Sequence, residues 1–430
     1  MISKSRFNEN NDHFPPAGLR QSKVLTYSET LCYIAGQLRA GIFIALENKH
    51  FQQKGGGGMK GKRLAGGILF LFLLSMFAYP ILSPQDAFAE KKFKLKFQAT
   101  WPAGSLLFNQ FKWFCDRVRL MSGGRLDIEA LPGGAVVGPL EVLDATSRRV
   151  IDGAHTWASY WFGKNMAAVL FTGGPGGTFG MDVWDYIGWM YHGGGLQLYN
   201  EFYQKVLKLK VVPFPVLYAG PQSFMWLKEP IKSWEDLKGK KCRVGGMAGK
   251  VYMKMGLTVV MLPAGEILPA AERGVIDCAE WVTPGEDLKL GFQDVWKYYY
   301  LPGLHESTSV GELLINQDIW NEFPEDLKAI VEAASLETLV KWAAWFDHNN
   351  SKALRELKEK HGVNIMETPK DIQVKFLKAW DQIAAEEAAR NPFFKKVLES
   401  QRKYASLVVP GRRRMWPPYE LVADYYWPKK

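Results

Sequence analysis

Residues 324–358 carry one continuous helical pattern, with Leu327, Ile330, Val331, Ala334, Leu336, Leu339, Trp342, Ala343 and Phe346 at apolar positions near a 3.6-residue period. Globular helices average only about 11–12 residues. The stretch is therefore either a spine crossing between two domains or a pair of helices broken near His348 to Ser351. The chain has 430 residues, and single cores seldom grow beyond about 250–300 residues, so two cores are expected. With 47% hydrophobic and 23% charged residues and 4 cysteines, the composition excludes a collagen-like repeat, a disulfide-stapled miniprotein and a wholly disordered chain. No repeat shows at solenoid periods.

The segments before that helix read as α/β units. Phe93, Leu95, Phe97 and Ala99 alternate with Lys94, Lys96, Gln98 and Thr100, the period of a strand. A helix over 107–120 and a second strand over 125–131 follow. A new unit is expected after the punctuation of Pro213 and Pro215, with short helices and strands alternating through 280. The glycine-rich loop 173–180 lacks the spacing and the Lys-Ser/Thr ending of a phosphate loop. An amphipathic helix pair is expected over 369–390 and 392–408, and 410–430 reads as an irregular tail.

Lys60, Lys62 and Arg63, the apolar run 68–78 and Ala87-Phe88-Ala89 together predict a secretory signal over 59–89, cleaved before Glu90. A permanent anchor over 64–82 competes with it, but Pro80, Pro84 and the Ala-Phe-Ala site favour cleavage. Because such a signal belongs at a chain start, translation is expected to begin at Met59, with 1–58 a wrongly assigned upstream extension. Residues 1–89 hold 10 basic and 5 acidic side chains, so the formal charge of +10 falls to +5 over the exported part. That excess gives no reason to invoke nucleic acid.

Cys115, Cys242 and Cys278 remain after cleavage and match no zinc spacing. Each reads first as a buried small hydrophobe, with a Cys242–Cys278 bridge as the alternative in an oxidising compartment. The histidines show no HExxH or related pattern, and no Ser/His/Asp arrangement with a nucleophile elbow occurs. All 16 tryptophans lie beyond residue 100; most are expected in cores and a few on a cavity wall. Asp277-Cys278-Ala279-Glu280-Trp281-Val282 reads as a strand end, where α/β folds place ligands. Arg243 offers a planar fork matched to a carboxylate, or an internal salt bridge. Glu280 with Glu306 can hold an oxygen-ligated cation, or serve as the acid and base of a glycosidase.

Several of these stretches, Asp236-Leu237-Lys238-Gly239, Cys242 to Gly249, Leu262-Pro263-Ala264-Gly265-Glu266-Ile267 and Arg273 to Val282, together resemble the solute-binding component of tripartite ATP-independent periplasmic (TRAP) transporters. Within that family they are most similar to the branch that binds 2-oxo acids and lactate and carries an AAEWV-type motif. The resemblance implies an α/β, two-domain periplasmic clamp with a long interdomain helix and a C-terminal helical extension. It implies domain I over 90–216 and 308–352, domain II over 217–307 and 353–400 with C-terminal helices, and a tail over 401–430. It places Arg243 on the ligand carboxylate. Gln222, Glu280, the Trp281 carbonyl and Glu306 fall on a site for Na+ or Ca2+, and Tyr160, Trp161 and Trp281 on the pocket wall. It implies a small organic acid as ligand, TRAP membrane permease subunits as partners, the periplasm as location and dimers as an option. The sequence departs from the branch at Cys278, at Thr283-Pro284-Gly285-Glu286-Asp287, at 173–177 and in the tail.

Two rivals remain open at this stage. One is a secreted lyase or hydrolase using Glu280 and Glu306; the other is a periplasmic sensor whose loaded form docks on a receptor. For the receptor reading, Arg243→Ala is expected to abolish acid binding at near-native stability.

Overall fold

Strand β1 (Phe93–Ala99) buries Phe93, Leu95 and Phe97 and exposes Lys94 and Lys96, as a half-buried strand of period two must. Helix α1 (Leu106–Met121) follows, its first turn capped by the Ser105 side chain, which accepts from the Leu107 N–H. In this computed structural model the described residues are 91–428. The expected start at Met59, the signal over 59–89, the extension 1–58 and Cys32 lie outside them. Among the described residues no helix is long and apolar enough to cross a membrane.

Strands β2 (Leu126–Leu131), β3 (Gly153–Thr156), β4 (Val211–Tyr218) and β10 (Val310–Asn316) join β1 in a five-stranded sheet of order β2-β1-β3-β10-β4. The first three are parallel, and β10 runs antiparallel to β3 and β4. Helices α2 (Val183–His192) and α3 (Gly195–Glu201) lie between β3 and β4 in the chain. A second sheet, of order β11-β9-β5-β8-β6-β7, gathers β5 (Met225–Leu227), β6 (Lys241–Arg243), β7 (Thr258–Val260), β8 (Cys278–Ala279), β9 (Tyr298–Leu301) and β11 (Asn364–Glu367). Helices α4 (Gly246–Lys254) and α5 (Pro284–Leu290) start just beyond β6 and β8. The chain is thus α/β, with two sheets joined by two short crossovers, β4 to β5 and β9 to β10, and by the longer connection from β10 to β11. The short crossovers run side by side: Ala219 N–H donates to the Ser309 carbonyl (3.0 Å) and Gln222 N–H to the Glu306 carbonyl (3.0 Å).

Helix α6 (Glu325–Glu359) is one unbroken element of 35 residues, about 52 Å long at 1.5 Å per residue. It packs on α1 and β4 beside the first sheet and on α5 beside the second. The polar stretch near His348 does not break it. Asn350 Oδ1 accepts from the Gly285 N–H (2.9 Å), and the Ser351 hydroxyl donates back to the Asp347 carbonyl (2.9 Å), so both side chains bond without disturbing the helix.

Helices α7 (Lys370–Arg390), α8 (Pro392–Met415) and α9 (Tyr419–Tyr426) close the chain. The expected irregular tail is corrected: α8 continues through Pro410 and α9 follows. Pro410 is exposed, so the backbone carbonyl that loses its partner there can turn to water. A second correction concerns Pro213 and Pro215, which lie inside β4, the strand the chain leaves on its way to the second sheet, rather than in a punctuating loop. Strand β4 is a sheet edge, and residues two apart direct their missing N–H donors to the same unpaired side. The loop at 173–180 contains a left-handed turn, with Gly176, Gly177, Thr178 and Phe179 at φ 68, 60, 49 and 65°.

Cys242 and Cys278 are joined in a disulfide, which corrects their reading as separate buried hydrophobes. They are direct partners on the parallel neighbours β6 and β8, with Cα atoms 4.5 Å apart, and a register set between strands so far apart in sequence is not a local signal. Cys115 is free and buried.

Candidate functional site

A cavity opens where the carboxyl ends of the strands of both sheets meet the crossovers. Its lining includes Trp101 and Trp157, just past β1 and β3, and Arg243, Glu280 and Trp281, at or just past the ends of β6 and β8. Tyr160 lies on the turn after β3, while Gln222 and Glu306 lie on the two crossovers. The cavity is small, ≈ 30 Å³, and open to one side. Carboxyl ends of strands leave unpaired backbone groups and short loops, which is why sites collect there.

Arg243 and Glu280 are each 2% exposed and form a buried ion pair. Arg243 Nη1 donates to both the Glu280 side-chain Oε1 (2.7 Å) and its backbone carbonyl (2.7 Å), and Nε donates to the Leu262 carbonyl (3.1 Å). The guanidinium lies over the Trp281 ring at 4.8 Å. Nε and Nη1 are therefore committed within the protein, and the guanidinium also interacts with the Tyr160 hydroxyl. The salt bridge posed as the alternative to a carboxylate fork is present. Removing Arg243 would strand a buried carboxylate, so the expectation of near-native stability for Arg243→Ala is corrected.

Glu280 Oε1 also accepts from the Gly245 N–H (2.5 Å), and Oε2 lies 3.7 Å from His305 Nε2. Burial alone would raise its pKa, but Arg243, His305 and the Gly245 N–H together hold it below the ordinary range. Glu306 shows the opposite balance. Its burial, with Glu280 nearby, raises it well above the ordinary range, against one opposing hydrogen bond from Thr172 (3.4 Å). Burial also pushes the Tyr160 hydroxyl, which interacts with Arg243, up to about 12. The close approach of backbone needs glycine here: at Gly246, φ +55°, a Cβ would stand 2.4 Å from the Ser159 hydroxyl.

The fit of a cation can be judged from the donors. With its amide nitrogen turned inward, Gln222 donates to the Trp281 carbonyl and to Glu280 Oε2, both at 3.2 Å. Rotated by half a turn, its oxygen joins the same two oxygens. Two carboxylates, an amide and a carbonyl make a set of hard oxygen ligands, suited to Na+ or Ca2+ and unsuited to zinc. Among the described residues no three His, Cys, Asp or Glu side chains gather as a metal cluster.

The structure thus brings Arg243, Gln222, Glu280, Trp281, Glu306 and Tyr160 around one space. Trp161 is absent from that lining: its indole N–H donates to the buried Glu312 (3.1 Å), which also accepts from Tyr199 and from Tyr203 (2.8 Å). Consecutive residues of a 3-10 helix lie about 120° apart around its axis, so with Tyr160 on the cavity Trp161 faces the core instead. Sequence reasoning missed Trp101, Trp157, Gly245, Gly246 and Leu107 as lining residues. The two glycines after Arg243 were the available signal, since successive glycines mark a close backbone approach.

Residues 97–391 match the model of the DctP family, the bacterial extracellular solute-binding proteins of family 7. The chain belongs to that family. These proteins are the solute receptors of TRAP transporters, and the two-lobed α/β architecture is theirs. The chain is 32% identical to the monocarboxylate 2-oxoacid-binding periplasmic protein of Nostoc sp. over 76% of its own length and 87% of the relative's. Among solved structures, a TRAP solute-binding protein from Bordetella bronchiseptica, a dimer with calcium and picolinate, is 31% identical at a TM-score of 0.73 and matches 78% of this chain and 97% of its own. Another from Pseudoalteromonas atlantica, with sodium and pyruvate, is 30% identical at a TM-score of 0.70 and matches 76% and 97%.

Proposed function

We propose that this TRAP receptor binds a small 2-oxo or 2-hydroxy monocarboxylate together with Na+ or Ca2+ and passes it unchanged to permease subunits in the membrane. The observation that carries this reading is the set of hard oxygen donors gathered in the cavity, where Gln222, the Trp281 carbonyl and the buried Glu280 and Glu306 face a single guanidinium, Arg243, already paired with Glu280. That pair leaves no net positive charge for an entering anion, and a buried uncompensated charge is costly. A hard cation held by Gln222, Glu280, the Trp281 carbonyl and Glu306 would supply the missing positive charge and an attachment for ligand oxygens. The chain's own residues do the rest. Arg243 and the Tyr160 hydroxyl receive the ligand carboxylate, while Trp101, Trp157 and Trp281 keep water from it. A short acid of this class is what the Pseudoalteromonas protein holds, as pyruvate.

Binding without chemistry fits better than an acid–base pair. Glu280 is fixed by Arg243 and the Gly245 N–H, which suits a ligand-holding group more than a proton carrier. The signal over 59–89 delivers the receptor to the periplasm in this reading. A homodimer through the C-terminal helices is supported by the exposed Tyr419, Leu421, Tyr425, Tyr426 and Trp427.

The test is calorimetric titration of the exported protein with pyruvate after chelation, then with Na+ or Ca2+ restored, alongside native mass spectrometry of co-purified acid and metal. Metal-dependent binding is expected. Conversion of the acid, or equal binding in chelator, would overturn the reading.

A further inference from the structure

His155 lies in β3 and is fully buried. Its Nδ1 accepts a hydrogen bond from the Trp101 indole N–H (2.8 Å), and its ring stacks on Phe111 with centroids 5.0 Å apart and planes 15° apart. An Nδ1 that accepts leaves the proton of a neutral imidazole on Nε2. That nitrogen is buried and has no partner. Burial holds the ring's pKa down to about 3, so it stays neutral across ordinary pH.

A phenylalanine or leucine would fill this space with no orphaned donor. The fold carries one instead, and such an exception calls for a reason on the other side of the ring. The other side is Trp101, which lines the ligand cavity and faces the rings of Tyr160 and Trp281, each 6.3 Å away between centroids. Trp101 follows β1 and His155 sits near the end of the parallel neighbour β3, so the bond ties a wall residue to the sheet. Without an acceptor the indole N–H would be buried and unpaired.

We infer that His155 is a positioning residue for ligand binding, whose Nδ1 fixes the orientation of Trp101 and thereby the shape of the cavity wall. The inference rests on the receptor reading above and adds to it a residue that touches neither ligand nor cation.

The test is pyruvate affinity in the presence of calcium, by calorimetry, for wild type, H155F, H155N and the W101F background, with thermal unfolding measured in parallel. H155F keeps the stacked ring and loses the acceptor; H155N retains an acceptor near the Nδ1 position. H155F is expected to weaken binding about tenfold and H155N to stay within about threefold. In the W101F background, exchanging His155 should change affinity by less than about twofold, because the donor is gone. Three results overturn the inference: H155F binding like wild type, H155N as weak as H155F, or an undiminished H155F penalty without the indole. If H155F does not fold, W101F decides, and unchanged affinity in W101F overturns it. Absence of pyruvate binding by wild type overturns the receptor reading and this inference with it, whereas wild-type binding with an unaffected H155F overturns this inference alone.

Discussion

Cys242 and Cys278 form a disulfide between direct partners on β6 and β8, and the next residues along these strands lead to Arg243 and Glu280. The bridge therefore staples the two strands whose ends hold the buried ion pair. It closes a loop with a sequence separation of 36, and a bridge of that size constrains the unfolded chain by about 2–4 kcal/mol. Replacing both cysteines with alanine should lower the unfolding free energy in urea by about that amount. A double variant as stable as wild type in an oxidising buffer would show that the bridge contributes nothing.

Arg243→Ala should now cost stability as well as binding. Glu280 would lose the partner of a buried pair, for which single-partner removal costs about 3–5 kcal/mol. Denaturant unfolding of the ligand-free variant checks this, and a change below about 1 kcal/mol would contradict the buried pairing.

Stability should fall as pH rises through the neutral range. Burial pushes Glu312 up to about 7 despite hydrogen bonds from Tyr199, Tyr203 and Trp161, and pushes Asp287 up to about 7 despite those from Trp226 and Tyr299. A folded pKa above the unfolded one means that the native state binds more protons between the two values, so its stability declines over that window. From pH 5 to 7.5 the loss for Glu312 alone is about 2 kcal/mol. Glu312→Gln should flatten that share of the slope in urea titrations at several pH values. An unchanged slope would show that Glu312 ionises normally.

Gly246→Ala should destabilise the protein and weaken the acid site together. The φ of +55° and the Ser159 hydroxyl 2.4 Å from the new Cβ leave no room, and strain of this kind costs about 1–3 kcal/mol. Gly265→Ala is the control, since nothing lies within 4 Å of its Cβ position. Equal melting temperatures for the two variants would count against the close approach.

The sequence by itself determined the elements with a strong period: β1 from its alternation, α1, and the helical stretch of α6 though not that it runs unbroken, because periodicity is a local property of the chain. The motif around Glu280 likewise marked a strand end, and resemblance named the family that the comparisons then showed. What only the tertiary structure decided are relations between distant segments. Pro213 and Pro215 could enter β4 because that strand is an edge, and Cys242 met Cys278 through a register no local signal fixes. Arg243 spends two nitrogens on Glu280 and Leu262, and Trp161 turns to Glu312 while Trp101, tied to His155, faces the cavity. Side-chain direction and partner choice depend on how the sheets pack, and packing is a property of the whole chain.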